Sequence, residues 1–322
     1  STNEDSSANS AIRGRQAIPL GFILEVAMES SVREERVVFQ VDSVDVVGVV
    51  RVPVGAHGCA ALVFAGPLTS VKEQVTGNYA VAMAARGFVT LSFDHRHFGE
   101  SDGTPRQYVH PARKVEDFRA AFGFLEQRSE VDPSRMGAVG ICTGAGYLAP
   151  VVAGDDRVKA WGAVAGFFHD AMQERERLGE RYEPTLERAI QAREHFEDFG
   201  EAYTVPAFGA EEAGTPLAEV SEYSASSRGR ASNYKNEFAI MSREHTIPWD
   251  AQSAAYDITV PTLVVHSEKA LAPELARKFF TSLGGKKEQV WVESKGHIDF
   301  YDEPEHVNIV SDHLARHFRA HL

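Results

Sequence analysis

The sequence predicts an α/β fold with a doubly wound, mostly parallel sheet, and three observations carry that prediction. Six short runs, at 59–65, 88–93, 136–142, 158–165, 262–266 and 289–292, are apolar throughout rather than alternating, as strands buried on both faces must be. Helical patterns fall between them, so strand and helix alternate along the chain. The composition is that of an ordinary soluble globular protein, with 43% hydrophobic and 25% charged residues among 322, enough chain to bury a large core without disulfides or a structural metal.

The elements follow in order. Residues 36–41 and 44–52 are β-branched runs on either side of a short polar turn and predict a hairpin. After the 59–65 strand, residues 71–86 have the apolar spacing of an amphipathic helix. Residues 112–127 repeat it, with Val115, Phe118, Ala121, Phe122 and Leu125 on one face. Helices at 144–152, 273–283 and 304–318 complete the alternation. Between 170 and 254 the alternation stops and the chain is charge-rich with helical patterns at 172–178 and 186–199. Such a length is too great for an ordered loop, so it is expected to be a helical lid inserted into a core made of 34–169 and 255–322. Residues 1–33 are expected to form a leader, polar and disordered at its start. Its apolar stretch at 17–24 is short, contains Pro19 and Gly21, and lacks a cleavage site, which argues against an export signal.

Charge and cysteine content narrow the function classes. The net charge of −13 repels phosphate, so nucleic acid and anionic membranes are not expected partners. No apolar stretch reaches the 18 residues of a spanning helix. Cys59 and Cys142 cannot form a disulfide framework, and their apolar contexts suit a reducing compartment, so a cytoplasmic location is expected. The 13 histidines show no zinc-ligand spacing with cysteine; neither a metal nor a cofactor is expected. A homodimer is left open.

The strongest chemical signal is Gly140-Ile141-Cys142-Thr143-Gly144, which follows a strand and opens a helix. It is the G-x-S-x-G nucleophile elbow with cysteine at the centre. Small residues two before and two after the nucleophile relieve backbone crowding, and the helix N-terminus favours a thiolate or a developing oxyanion. Gly296-His297-Ile298-Asp299-Phe300-Tyr301 follows the last strand, where a loop hangs over the sheet edge and can supply a general base in His297. A third member, a carboxylate, is sought after the preceding strand; Glu268 is the expected acid, with Asp94 and Asp299 as alternatives. The more usual acid position, two residues later, holds Ala270. The loop Gly66-Pro67-Leu68 leaves the Leu68 N–H, with that of Thr143, to form an oxyanion hole, because Pro67 has no N–H. Lys72-Glu73-Gln74 open the next helix. In the turn Asp94-His95-Arg96-His97-Phe98-Gly99-Glu100-Ser101, Asp94 and Arg96 are expected to tie the strand end to the next loop, with His97 available to the substrate. Phe168, Tyr203, Tyr234, Phe238 and Trp249 are candidate walls of an apolar pocket. Trp161 and Trp291 lie in strands and are expected in the core.

The elbow, the 94–101 turn and the 296–301 loop together resemble α/β hydrolases. The longer string Gly140-Ile141-Cys142-Thr143-Gly144-Ala145-Gly146-Tyr147, with Lys72-Glu73-Gln74 and Ala239-Ile240-Met241-Ser242, resembles the cysteine-nucleophile branch of that superfamily. This branch is similar to dienelactone hydrolases and to the thiohydrolases and acyltransferases of polyketide pathways. The resemblance covers about 34–322 and implies an α/β-hydrolase fold with Cys142 as nucleophile and His297 as base. Two positions depart from its pattern: Glu268 stands where related proteins have Asp, and His97 stands where Gly is commoner.

The chemistry expected is acyl transfer from an ester, lactone or thioester, through an acyl-cysteine intermediate, to water or to an acceptor. Each oxyanion donor is worth ~3 kcal/mol of barrier. A thiolate is both a good nucleophile and a good leaving group, so activated acyl groups suit it better than amides. The substrate is expected to be a small acyl compound, free or carrier-bound. An acyltransferase or cyclase using the same residues is the alternative; a catalytically inactive binding protein on the same fold is the second.

Overall fold

The computed structural model describes residues 31–214 and 218–322. Residues 1–30, which hold most of the expected leader and its apolar stretch, lie outside the described residues; the leader's last two residues already belong to a strand.

That strand, β1 (Val32–Val41), pairs antiparallel with β2 (Val44–Pro53). Asp42 and Ser43 both take positive φ (50° and 65°), the signature of a two-residue turn whose twist matches the strands it joins. The remaining strands of the main sheet are β3 (Cys59–Ala65), β4 (Val89–Phe93), β5 (Val131–Ile141), β6 (Val158–Val164), β9 (Thr262–His266) and β10 (Lys287–Trp291). The spatial order is β1-β2-β4-β3-β5-β6-β9-β10, antiparallel at β1/β2 and β2/β4 and parallel elsewhere.

Residue alternation along the strands sorts the core into two layers. In β3, Ala61, Val63 and Ala65 face a layer containing Phe118 and Phe122 of α2 (Pro111–Glu126), Leu148 and Val151 of α3 (Thr143–Gly154) and Phe279 of α8 (Pro273–Ser282). Ala60, Leu62 and Phe64 face the other layer, with Tyr79 and Met83 of α1 (Val75–Ala84) and Leu314 and Phe318 of α10 (Pro304–His321). The inner strands are therefore covered on both faces, which explains their apolar runs, while the edge strands β1 and β10 are partly exposed. Trp161 is fully buried in this core, as expected; Trp291 is not, because β10 is an edge strand, exposed from Lys287 to Gln289 and only half-buried at Trp291, whose ring lies under Arg277.

The chain between β6 and β9 carries α4 (Ala171–Leu178), α5 (Tyr182–Phe199), α6 (Ala218–Ala225) and α7 (Arg243–Thr246). It also holds a two-residue antiparallel ladder, β7 (Thr204–Val205) with β8 (Phe238–Ala239), which the expectation of a purely helical segment missed. It is anchored on the core by Val109 N–H donating to Ser242 Oγ at 2.9 Å and by Gln74 Nε2 donating to the Gly229 carbonyl at 2.6 Å.

Candidate active site

The elbow is where the sequence places it. Cys142 sits between β5 and α3 with φ 53° and ψ −127°, a conformation that costs a non-glycine residue on the order of 1–3 kcal/mol and is held only because the surroundings enforce it. The flanking glycines are needed sterically: a Cβ at Gly140 would come within 2.5 Å of Ala145 Cα, and one at Gly144 within 2.4 Å of the Ala65 carbonyl oxygen. Cys142 is 5% exposed. Burial pushes its thiol up to about 11, against hydrogen bonds from Tyr301 and the Thr143 backbone that favour the thiolate.

His297 is fully buried in the loop after β10. The loop is held from the insertion: Glu219 of α6 accepts the backbone N–H of His297 at 3.1 Å and that of Ile298 at 2.7 Å. The imidazole has two neighbours. Its Nδ1 accepts the Leu271 backbone N–H at 3.2 Å, and its Nε2 lies 3.3 Å from the Tyr301 hydroxyl. An Nδ1 that accepts has no proton, so the neutral ring carries its proton on Nε2 and donates to Tyr301. Tyr301 in turn is hydrogen-bonded to Cys142. One phenol thus bridges the two residues picked out from sequence. Burial, and then neighbouring His266, push the His297 imidazolium down to about 3. The resting pair is therefore a neutral thiol and a neutral imidazole, not the thiolate–imidazolium pair that a helix N-terminus alone suggests.

No expected acid reaches this imidazole. Glu268 points outward, its side chain 68% exposed, and pairs with Arg277 of α8. Asp299 accepts the Lys295 N–H at 2.6 Å and braces its own loop. Asp94 is fully buried but belongs to another network: it accepts from the Lys72 N–H at 2.7 Å, from Lys72 Nζ at 2.8 Å and from the Glu100 N–H at 2.9 Å. This is the structural tie expected of that turn. Arg96 makes a separate tie, to Asp117 at 2.5 Å.

The residues expected to supply the oxyanion donors are adjacent, and the Leu68 N–H is engaged. The Leu68 N–H donates to Thr143 Oγ1 at 2.6 Å, while the Leu68 carbonyl accepts from Lys114 Nζ at 3.0 Å. Lys114 is 3% exposed, lies over the rings of Phe98 and Tyr147, and is pushed down to about 7 by burial. Leu68 and Thr143 open onto a cavity of about 90 Å³ whose wall includes Tyr147, Phe167, Phe238 and Trp249.

Phe238 and Trp249 line this cavity, and four other candidates do not. Phe168 is fully buried and stacks on Phe279 with centroids 3.9 Å apart; its neighbour Phe167 faces the cavity instead. Tyr234 lines a separate small cavity beside Tyr301. His97 is held in its turn by the Pro105 carbonyl at 2.9 Å and Arg113 at 3.1 Å, away from the cavity wall. Tyr203 is half exposed and stacks on His195. Three functional candidates escaped sequence reasoning. Tyr301 lies four residues after His297, a helical spacing that could have flagged it. Glu219 and Lys114 carry no local signal.

A cysteine on a strand–helix elbow and a histidine after the last strand, at the carboxyl edge of this sheet, define an α/β hydrolase, and the chain belongs to the α/β-hydrolase superfamily. It is 31% identical to the uncharacterized protein PA2218 of Pseudomonas aeruginosa over 280 residues, 83% of this chain and 74% of that protein. It is 30% identical to the uncharacterized protein YcjY of Escherichia coli over 272 residues, 81% of this chain and 89% of that one. The crystal structure of PA2218 superposes with a TM-score of 0.81 at 28% identity, covering 98% of this chain and all of the other. The α/β hydrolase GrgF from Penicillium sp. sh18 superposes at 0.77 and 21% identity over 90% of this chain and 99% of its own. Shorter segments match a polyketide transferase of Penicillium crustosum (38% identity over 27% of this chain and 28% of that protein) and a thiohydrolase of Aspergillus aculeatus (36% over 34% of each). No family model matches the chain. Among the described residues, no helix is long and apolar enough to cross a membrane.

Proposed function

We propose that the chain is a thiol-dependent acyl hydrolase or acyltransferase, with Cys142 as nucleophile and His297 as base. It would act on ester, lactone or thioester carbonyls, and residues 170–254 would form the lid over the site. The observation that carries this reading is the strained Cys142 elbow, joined through one phenol to a buried imidazole beside a cavity. The names of the transferase and thiohydrolase relatives support the acyl class.

In this reading the sulfur attacks the carbonyl carbon while its proton passes to Tyr301, and the Tyr301 proton passes to His297 Nε2. Nε2 must be bare to accept it, so the ring must first take the tautomer protonated on Nδ1. Nδ1–H and the Leu271 N–H are both donors, so the Leu271 contact breaks in the working state. The oxyanion takes the Thr143 N–H, and the Leu68 N–H once the Thr143 hydroxyl turns aside. The tetrahedral intermediate collapses by breaking its bond to the alcohol or thiol of the substrate, which leaves with the proton held on His297 Nε2. Water or an acceptor alcohol then attacks the acyl-cysteine and gives its proton to Nε2, and His297 returns that proton to the sulfur as the C–S bond breaks.

A second reading, a fold-retaining protein without catalysis, is favoured by two observations: among the described residues no carboxylate is bonded to Nδ1, and the tautomer set by Leu271 is the inactive one. Turnover separates the two. Wild-type protein should hydrolyse 4-nitrophenyl acetate or an acyl thioester above the uncatalysed rate, and Cys142→Ala should lose that activity; equal rates in both overturn the proposal.

A further inference from the structure

The cavity beside Thr143 and Leu68 runs to a second end that the acyl-transfer chemistry leaves unused. Three polar atoms there are buried without a partner among the described residues: Arg243 Nε, Thr246 Oγ1 and Trp249 Nε1. All three residues line the same cavity. Arg243 is 6% exposed, so its guanidinium is a built part of this wall. The backbone leaves room for it: a Cβ at Gly214, where φ is +76°, would come within 2.4 Å of Arg243 Nη1.

The charge at this end is unbalanced. Arg243 Nη2 donates to Glu174 Oε1 at 3.0 Å, but Glu174 is also held by Arg177, at 2.8 Å and 2.9 Å. Two guanidinium groups share one carboxylate. The other ionisable group on the wall, His169, has Nε2 3.2 Å from the Ile247 carbonyl and is kept neutral by burial. Arg177 also feels Glu211, but buried Arg243 on the cavity wall has only the shared Glu174 as a carboxylate partner and keeps its Nε unpaired, an arrangement that an anion with planar acceptor oxygens completes. Tyr147 lies between this end and the nucleophile, close enough to feel both Cys142 and Arg243.

We propose that Arg243, Trp249 and Thr246 form a subsite for a carboxylate at the far end of the acyl group, so that the preferred substrate is a short ω-carboxyacyl ester or thioester. The small cavity, about 90 Å³ and near the liquid volume of about three waters, suits a short chain. The inference rests on the acyl-transfer reading for its substrate, but not for its ligand.

The test compares glutaryl and pentanoyl thioesters of N-acetylcysteamine, equal in chain length and differing in the terminal carboxylate. Wild-type kcat/KM should favour glutaryl by tenfold or more, and that ratio should fall at least tenfold in Arg243→Met. Trp249→Phe should lower it in the same direction, and stands in if Arg243→Met does not fold. A second measurement needs no turnover: free glutarate should raise the Tm of the wild type and of Cys142→Ala, and not that of Arg243→Met or Trp249→Phe. Glutarate stabilisation without turnover of either thioester keeps the subsite and removes the acyl-transfer reading. Turnover with no glutaryl preference and no glutarate stabilisation overturns the subsite and leaves that reading standing. Neither turnover nor stabilisation overturns both.

Discussion

The Tyr301 hydroxyl lies 3.3 Å from His297 Nε2 and is hydrogen-bonded to Cys142, so the two side chains proposed as nucleophile and base meet through a phenol rather than directly. Because Leu271 N–H occupies Nδ1, the proton order in the resting state runs from His297 to Tyr301 to sulfur, the reverse of the order that attack requires. The site as it stands is poised but off.

Tyr301→Phe removes the bridge while keeping the ring packing. If the phenol relays the proton, kcat should fall about 10²- to 10⁴-fold, the usual range for a lost proton-transfer group, with KM little changed. Wild-type kcat in Tyr301→Phe would show the hydroxyl to be a packing group only.

Glu268→Ala should leave kcat within about twofold, since an exposed ion pair to Arg277 is worth at most about 1 kcal/mol. Asp94→Asn should act on stability instead, because it removes the fully buried one of the three carboxylates around Lys72, leaving Glu73 and Glu100; the loss, read as a lower Tm, should fall below the about 3–5 kcal/mol typical of a buried charge left bare. A drop of two orders of magnitude in kcat for Glu268→Ala would restore it as the triad acid.

The thiol's own titration is directly measurable. With its pKa raised to about 11, the thiolate fraction grows about tenfold per pH unit well below that value. Alkylation of Cys142 by iodoacetamide, in a Cys59→Ser background, should climb in that manner from pH 7 to 10. A rate that is flat and fast from pH 6 to 9 would instead reveal a resting thiolate–imidazolium pair.

The parts of this site legible in the sequence were those that local geometry dictates. Gly140 announces the elbow because the crowding it relieves, against Ala145, arises within five residues, while Gly144 makes room for Ala65 on the neighbouring strand β3. His297 is legible from topology, as it follows the last strand. The acid was not legible, because the side chain at 268 is aimed by tertiary packing: Arg277 on the next helix draws it outward, and Ala270 leaves nothing in the usual place. Phe168 illustrates a subtler limit. In an extended segment neighbouring side chains point to opposite sides, and which of Phe167 and Phe168 meets the cavity depends on a one-residue register set by the stack on Phe279. Glu219, far along the chain and within the insertion, was invisible for the same reason.

Intact-protein mass spectrometry after mixing with a panel of esters, lactones and acyl thioesters tests the central claim most directly. The account predicts a mass increase equal to one acyl group, mapped to Cys142 by peptide analysis and absent in Cys142→Ala. Turnover with no acyl group on Cys142, or an acyl group carried on another residue, would contradict it.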